Sequence, residues 1–426
     1  MRDAASASLQ RLEFGLVCAA VFFAPYSAFR HPDLFFTAGD FFFLMAIMLR
    51  LLSGWPIRPL GEGTLLWYAG FVMLNYGLLV SSLINGDMAR AWVVFAQYLF
   101  AYILLPFAVS RSSYDDAITL AKCCVYGMVT MCVFGIGAYA LGFNAGHARH
   151  FAIVTGGGRL TGFVDNANGL AGYIALTLPL LCFLTTIRAF KLPTTIALAV
   201  PLLVALVLAS SNTGLIGALL STGIYMIGAR RPKILAVFVM VCGGAVATVV
   251  LWGEHFLPAV FQRRVLNAVT EGDITEAGTF VDRYELIKEA WRLADTHLLL
   301  GMGTDQYRTV SEQGLSVHNA YLLLLNEGGL VALCGYLLIL GSALIAPWQG
   351  RHRRDGGAIL LCTVAVATAV AFIAFSGTHM YARFLTVPLL LTVGAAVASG
   401  RGRTRRPAAP STWEPMGQQL ISARNQ

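Results

Sequence analysis

Long apolar runs alternate with short polar connections through most of the chain, and the runs have the length of membrane-crossing helices. About 20 residues of helix span a bilayer core. Twelve runs of about that length stand out, near residues 13–28, 34–52, 64–84, 91–109, 117–142, 168–187, 193–209, 213–228, 233–252, 319–346, 357–378 and 380–399. The seventh and eighth are parted only by Ser210, Ser211 and Asn212. Two polar stretches break the rhythm, one near 143–167 and a longer one near 253–317. The pattern predicts an all-α polytopic membrane protein of about twelve transmembrane helices, with a helical loop domain between the ninth and tenth. It divides the chain into 1–252 (helices one to nine), 253–317 (loop domain), 318–400 (helices ten to twelve) and 401–426, a polar and disordered tail.

Composition agrees with this class. Of 426 residues, 57% are hydrophobic and 12% charged, where soluble domains carry about 25% charged residues. Charge then orients the helices. Arg50, Arg58, Arg111, Arg188, Lys191, Arg230, Arg231, Lys233, Arg351, Arg353 and Arg354 fall on one set of connections. Arg401, Arg403, Arg405 and Arg406 follow the last run on the same side. The opposite short connections hold little beyond Arg30, Arg90, Arg149 and Arg159. Positive charge concentrates in cytoplasmic loops, so both termini are expected in the cytoplasm and the loop domain outside it. The net charge of +8 is explained by topology and does not call for a nucleic-acid partner. Arg2 and Arg11 before the first run resemble the start of a signal peptide, but no clear small-x-small site follows, so the first helix is expected to stay.

The eight cysteines all lie in apolar runs, and no CxxC or HExxH zinc spacing occurs. His147 and His150 form an HxxH without a neighbouring carboxylate. No metal or cofactor is expected.

Chemistry concentrates at Val317-His318-Asn319-Ala320, where the loop domain meets the tenth run. An imidazole titrates near neutral pH and can serve as a general base. Glu327 lies nine residues further, about 13 Å along a helix at 1.5 Å per residue and on the opposite face. An intramembrane carboxylate is a functional candidate by default, though this phase separates it from His318. Within 253–317, Pro258 to Val269 can form a helix bearing Arg263 and Arg264. Residues 281–295 form an amphipathic helix at 100° per residue. Tyr284, Leu286, Ile287, Ala290, Trp291, Leu293 and Ala294 fill its apolar arc, and Asp282, Glu285, Lys288, Glu289, Arg292 and Asp295 the polar one. Arg283 falls inside the apolar arc, where an unpaired charge is costly, so it either finds a carboxylate, reaches the rim or points into an anion site. In 143–167, Gly156-Gly157-Gly158-Arg159 precedes Asn166 and Asn168 at the start of the sixth helix, where Asn168 suits an N-cap. His379 and Arg383 share a face at i, i+4 near the end of the last helix and suit an interfacial anchor. Lys122 suits snorkelling. A His flanked by several Arg at a membrane surface fits a lipid-linked anionic donor, because guanidinium matches phosphate oxygens and keeps its charge.

The chain resembles the bacterial O-antigen ligase family, whose relatives include the O-antigen polymerases. The resemblance rests on Gly158-Arg159-Leu160-Thr161-Gly162-Phe163 with Asn166 and Asn168, on Ser210-Ser211-Asn212-Thr213-Gly214, on Arg283 to Tyr307 with Gly301 and Gly303, and on His318-Asn319 through Glu327-Gly328-Gly329. It extends to the order of elements over about 15–400. It implies a GT-C-like membrane fold and an inverting, metal-independent glycosyl transfer at the periplasmic face of a bacterial inner membrane. The donor would be a glycan on undecaprenyl diphosphate and the acceptor lipid A–core; a polymerase would use another lipid-linked glycan as acceptor. The family's essential His corresponds to His318, and its periplasmic Arg residues to Arg159 and to Arg264 or Arg283. Asn319 joins these as a substrate-binding candidate, with Arg263, Asn168, Glu327 and Arg383 behind it. Many relatives carry Arg after the serine of the turn between helices seven and eight, whereas this chain has Asn212, so that role is absent or moved to Arg159. A transporter is the reading from another class, but it predicts several mid-membrane charges and internal repeats; only Glu327 is such a charge and no repeat is visible.

Overall fold

The computed structural model describes residues 2–27, 30–31, 36–53, 58–142, 152–155, 157–164, 166–230, 240, 243–244, 247–248, 251–253, 255, 257–266, 280–353, 355–378 and 380–401. His147, His150, His379, the polar stretch 271–278, the tail beyond 401 and most of the ninth apolar run lie outside the described residues.

The described chain is mostly helical. The helices are α1 (Arg2–Phe23), α2 (Ala38–Ser53), α3 (Thr64–Asn85), α4 (Met88–Val109), α5 (Tyr114–Ala140), α6 (Ala167–Thr186), α7 (Leu192–Ala209), α8 (Asn212–Gly228), α9 (Phe280–Ala294), α10 (Ala320–Ser342), α11 (Gly356–Ala374) and α12 (Arg383–Arg401). A pair of two-residue strands, Arg30–His31 and Phe36–Thr37, joins α1 to α2. Among the described residues, helices occupy eleven of the twelve predicted apolar runs, and the few described residues of the ninth are helical too. Seven described helices are long and apolar enough to cross a membrane, which makes the chain a multi-pass membrane protein.

Close helix contact places the turn that later carries the site. α8 lies against α6 at Gly214, where a Cβ would collide with the Cβ of Ala171, and Ser221 Oγ donates to the Ala175 carbonyl at 2.8 Å. Small residues let helices approach where lipid supplies no hydrophobic drive between them. The α7–α8 turn is tight: Ser210 adopts φ 46°, and Ser211 caps α8 by accepting from the Gly214 N–H at 3.2 Å.

The tenth run is not one continuous helix. Gly329 has φ 70° and ψ −172° inside α10, a conformation open essentially to glycine alone. Backbone groups in a membrane must find partners inside the protein, and a returning loop segment provides them. Leu330 N–H donates to the Leu298 carbonyl at 2.8 Å, Met302 N–H to Asn326 at 2.7 Å and Gly303 N–H to Glu327 at 3.0 Å. Ser81 Oγ of α3 adds a 2.6 Å bond to the Glu327 carbonyl.

α9 packs on the first half of α10 through its own small core of Leu286, Ala290 and Ala294 with Met302, Tyr307 and Val317. Its packed face is rotated from the one the wheel assigns. Glu289 is buried, while Tyr284 and Trp291 are exposed. The charge of Glu289 is tolerable because donors converge on it: Glu312 N–H at 2.6 Å, Ser311 Oγ at 2.9 Å and Tyr307 OH at 3.4 Å. The rotation frees the Tyr284 side of α9, with Arg283 beside it, to face a cavity.

Candidate active site

Arg159 is held by the shape of its own turn. Val154 and Leu160 form an antiparallel bridge. Thr155 N–H donates to the Arg159 carbonyl at 2.8 Å, and Gly158 takes the positive φ of 77° the reversal requires. Leu160 N–H then donates to the Leu208 carbonyl at 3.0 Å, tying the turn to the end of α7. From there Arg159 Nε donates to the Ala209 carbonyl at 2.9 Å, and its Nη2 to Asn168 Oδ1 at 2.7 Å. Asn168 is not the helix cap expected of it. Asn166 caps α6 by accepting from the Asn168 and Gly169 N–H groups, at 2.8 Å and 3.4 Å, which leaves the Asn168 side chain to orient Arg159.

Arg264 arrives on a different element. Ala259–Phe261 begins a helix that widens into a π-helical turn, Gln262–Leu266. Asn212 Nδ2 donates to the Arg264 carbonyl at 3.1 Å. The α7–α8 turn thus holds the Arg264 segment by its backbone, at a position where many relatives are expected to carry an arginine. Among the described residues, the buried Nε atoms of Arg264 and Arg283 have no hydrogen-bond partner. Buried polar groups are almost always paired, so these two donors, which sit beside a shared cavity, are available to an anion.

The three guanidiniums act on one another. Burial, then Arg264 and Arg283, pull the Arg159 pKa down to about 10. Arg283 is lowered by burial and then by Arg264, and Arg264 by burial. Guanidinium keeps its charge at physiological pH, so three of them gathered here make the region receptive to negative charge. His318 stands at the edge of this group. Its solvent-facing side is exposed, while partial burial and then Arg283 lower its pKa below the ordinary imidazole value. Both causes favour the neutral ring, the form in which it can accept a proton.

Two cavities meet at these residues. The larger, about 650 Å³, is bounded by polar groups that include Asn166, Asn168, Thr213, Ser376, Thr378 and Tyr381. The smaller, about 310 Å³, holds Arg264 among Ile216, Tyr284, Ile287, Phe372 and Phe375. Asn168, Thr213, Arg283, His318 and Ser376 border both. The α11–α12 connection, with Ser376, Thr378 and Tyr381, is the part of this wall that the sequence reading missed. Its only signal is a polar Ser-Gly-Thr between two apolar runs.

Four sequence candidates fall outside this role. Asn319 is buried and caps α10, accepting from the Tyr321 and Leu322 N–H groups at 3.1 Å each, so its side chain is spent on the helix start. Glu327 lines neither cavity. Its buried side chain lies close to the backbone of Asp305 and Tyr307, where the returning loop meets the break in α10. Arg263 is exposed and lines neither cavity. Arg383 does border the larger cavity, but its guanidinium is committed to Asp40 at 2.8 Å and Gln97 at 2.7 Å, above the Phe100 ring. It braces the wall rather than offering a free cation. Among the described residues, no group of three or more His, Cys, Asp or Glu is placed to hold a metal ion.

No curated protein matches the chain. Residues 197–337 match the family model described as O-Antigen ligase, a stretch containing Asn212, Arg264, Arg283 and His318 but not Arg159. The match covers about a third of the chain and makes this segment, with His318, Arg264 and Arg283 in it, similar to the O-antigen ligase family.

Proposed function

We propose that the chain is an O-antigen ligase. It moves a glycan from undecaprenyl diphosphate to lipid A–core at the periplasmic face of the inner membrane, with inversion and without a metal. One observation carries this reading: the His318 imidazole borders both cavities beside Arg283, whose neighbours are two more partly buried guanidiniums. In the reaction, His318 takes the proton of an acceptor hydroxyl, and that oxygen forms a bond to the anomeric carbon. The bond from the anomeric carbon to the diphosphate oxygen breaks, and the electron pair leaves with undecaprenyl diphosphate. Arg264 and Arg283 hold the charge that develops on this leaving group, which is the contribution pre-placed donors make most effectively; Arg159 borders neither cavity and adds its positive charge from behind them.

The two cavities suit the two substrates differently. The smaller combines Arg264 and Arg283 with apolar side chains, of which Ile216 and Phe375 are exposed on the helix surface; this fits a phosphate carried on a polyprenyl chain. The larger offers hydroxyl, amide and phenol groups, which fits a sugar acceptor.

The test is transfer by purified protein given the lipid-linked donor and lipid A–core. One glycan per core supports ligation. Ladders that grow without core would instead establish a polymerase with the same donor chemistry. His318→Ala lowers transfer by about 10²–10⁴, the usual worth of a positioned base, while donor binding persists. Wild-type turnover in that variant removes His318 as the base.

A further inference from the structure

Most loops of a membrane protein present polar tips, yet one turn of the loop region carries three consecutive leucines, all exposed. Leu298, Leu299 and Leu300 are 47%, 66% and 41% accessible. The backbone fixes where they stand. The Leu298 carbonyl accepts from Leu330 N–H, and a Cβ on Gly329 would strike the Leu299 carbonyl. Asn85 Nδ2, at the end of α3, donates to the Gly301 carbonyl at 3.0 Å. The leucines therefore sit against the break in α10 and the last turn of α3.

The apolar surface continues on both neighbours. Leu83 and Ile84 of α3 and Leu330 of α10 are also exposed. Depth follows from length. α3, 22 residues from Thr64 to Asn85, rises about 33 Å at 1.5 Å per residue, close to the 30 Å of a hydrocarbon core, and its last residue is the one that meets Gly301. The break at Gly329 then lies at the edge of the hydrocarbon on the loop's side, and so do the leucines docked on it.

We propose that Leu298-Leu299-Leu300 is a wedge seated in the bilayer, in contact with the acyl chains of the leaflet on the loop's side. Six large aliphatic side chains left to water, three of them on one small turn, would be an unusual patch. Beside the lipid-facing sides of α3 and α10 they extend the same surface by one turn. The wedge holds the region that carries Arg283 and His318 at a fixed height over the membrane.

The test uses p-benzoylphenylalanine placed at Leu299, and separately at Glu312 as an exposed polar control, in full-length protein. Each variant is reconstituted into vesicles of phosphatidylethanolamine and phosphatidylglycerol, after elution as a single species in detergent establishes folding. Irradiation at position 299 gives intact-mass adducts of one phospholipid, linked through the acyl chain, at least about tenfold more often than at 312. Equal adduct yields at the two positions overturn the proposal. So does a position-299 product that consists of two crosslinked copies of the chain without lipid.

Discussion

Replacing Arg283 by Gln separates the two effects this side chain is argued to have, one on the leaving group and one on the base. A guanidinium that holds developing diphosphate charge is comparable to one donor of an oxyanion site, and its loss costs about 10²–10³ in rate. The second effect shows only in the pH profile. The active form of His318 is neutral, so activity falls as pH drops through its pKa, and in the wild type this acid limb lies below the ordinary value of about 6.5. Burial is the larger cause of that depression and Arg283 the smaller. In Arg283→Gln the charge is gone but burial remains, so the limb moves upward without passing the ordinary value. Arg264→Gln is the matched control. Arg264 is not among the groups that depress His318, so this variant loses rate with its acid limb in place. The assay is kcat/KM for transfer from pH 5 to 8, with the diphosphate donor limiting and lipid A–core saturating. Wild-type rates in Arg283→Gln, or a reduced rate with an unmoved limb, would refute the coupling of Arg283 to both groups.

Three further outcomes follow from the same geometry. Transfer persists in EDTA, because arginines supply the positive charge; loss of activity that added divalent metal restores would overturn the metal-free reaction. Gly329→Ala is destabilising by about 3 kcal/mol, from about 1–3 kcal/mol of backbone strain and a lost hydrogen bond of about 1 kcal/mol. A lower melting temperature in detergent and faster proteolysis near 297–303 report it, and an unchanged melting curve would show that the break does not need glycine. Glu289→Ala strands the Glu312 N–H and the Ser311 hydroxyl, at about 1–3 kcal/mol for each buried group; hydrogen exchange at 307–312 rises, and unaltered protection there would contradict the role given to Glu289.

The helices were legible because lipid imposes a single rule, a run of apolar side chains long enough to cross it. His318 was legible for the converse reason, as a titratable group at the boundary of such a run. What stayed hidden depends on contacts between distant segments. Nothing local in Glu327-Gly328-Gly329 reveals that residues 298–303 replace the helix's own hydrogen bonds there. The wheel for α9 sees apolar and polar arcs but not the donors at Tyr307, Ser311 and Glu312 that let Glu289 turn inward. Asn212 looked like a missing arginine, and its bond to the Arg264 carbonyl becomes visible only once the loop has returned to the α7–α8 turn. The choice between Arg264 and Arg283 likewise had no answer in sequence, because both side chains border the same cavity.

The break in α10 also constrains how the protein is made. The carbonyls of Asn326 and Glu327 and the N–H of Leu330 are matched by residues 298–303, which leave the ribosome before α10 does. Unmet backbone groups at the edge of the hydrocarbon are costly, so the start of α10 reaches its final shape only when residues 298–303 have turned back onto it. Completion of the α10 break and folding of this loop segment are therefore expected to be one step of assembly.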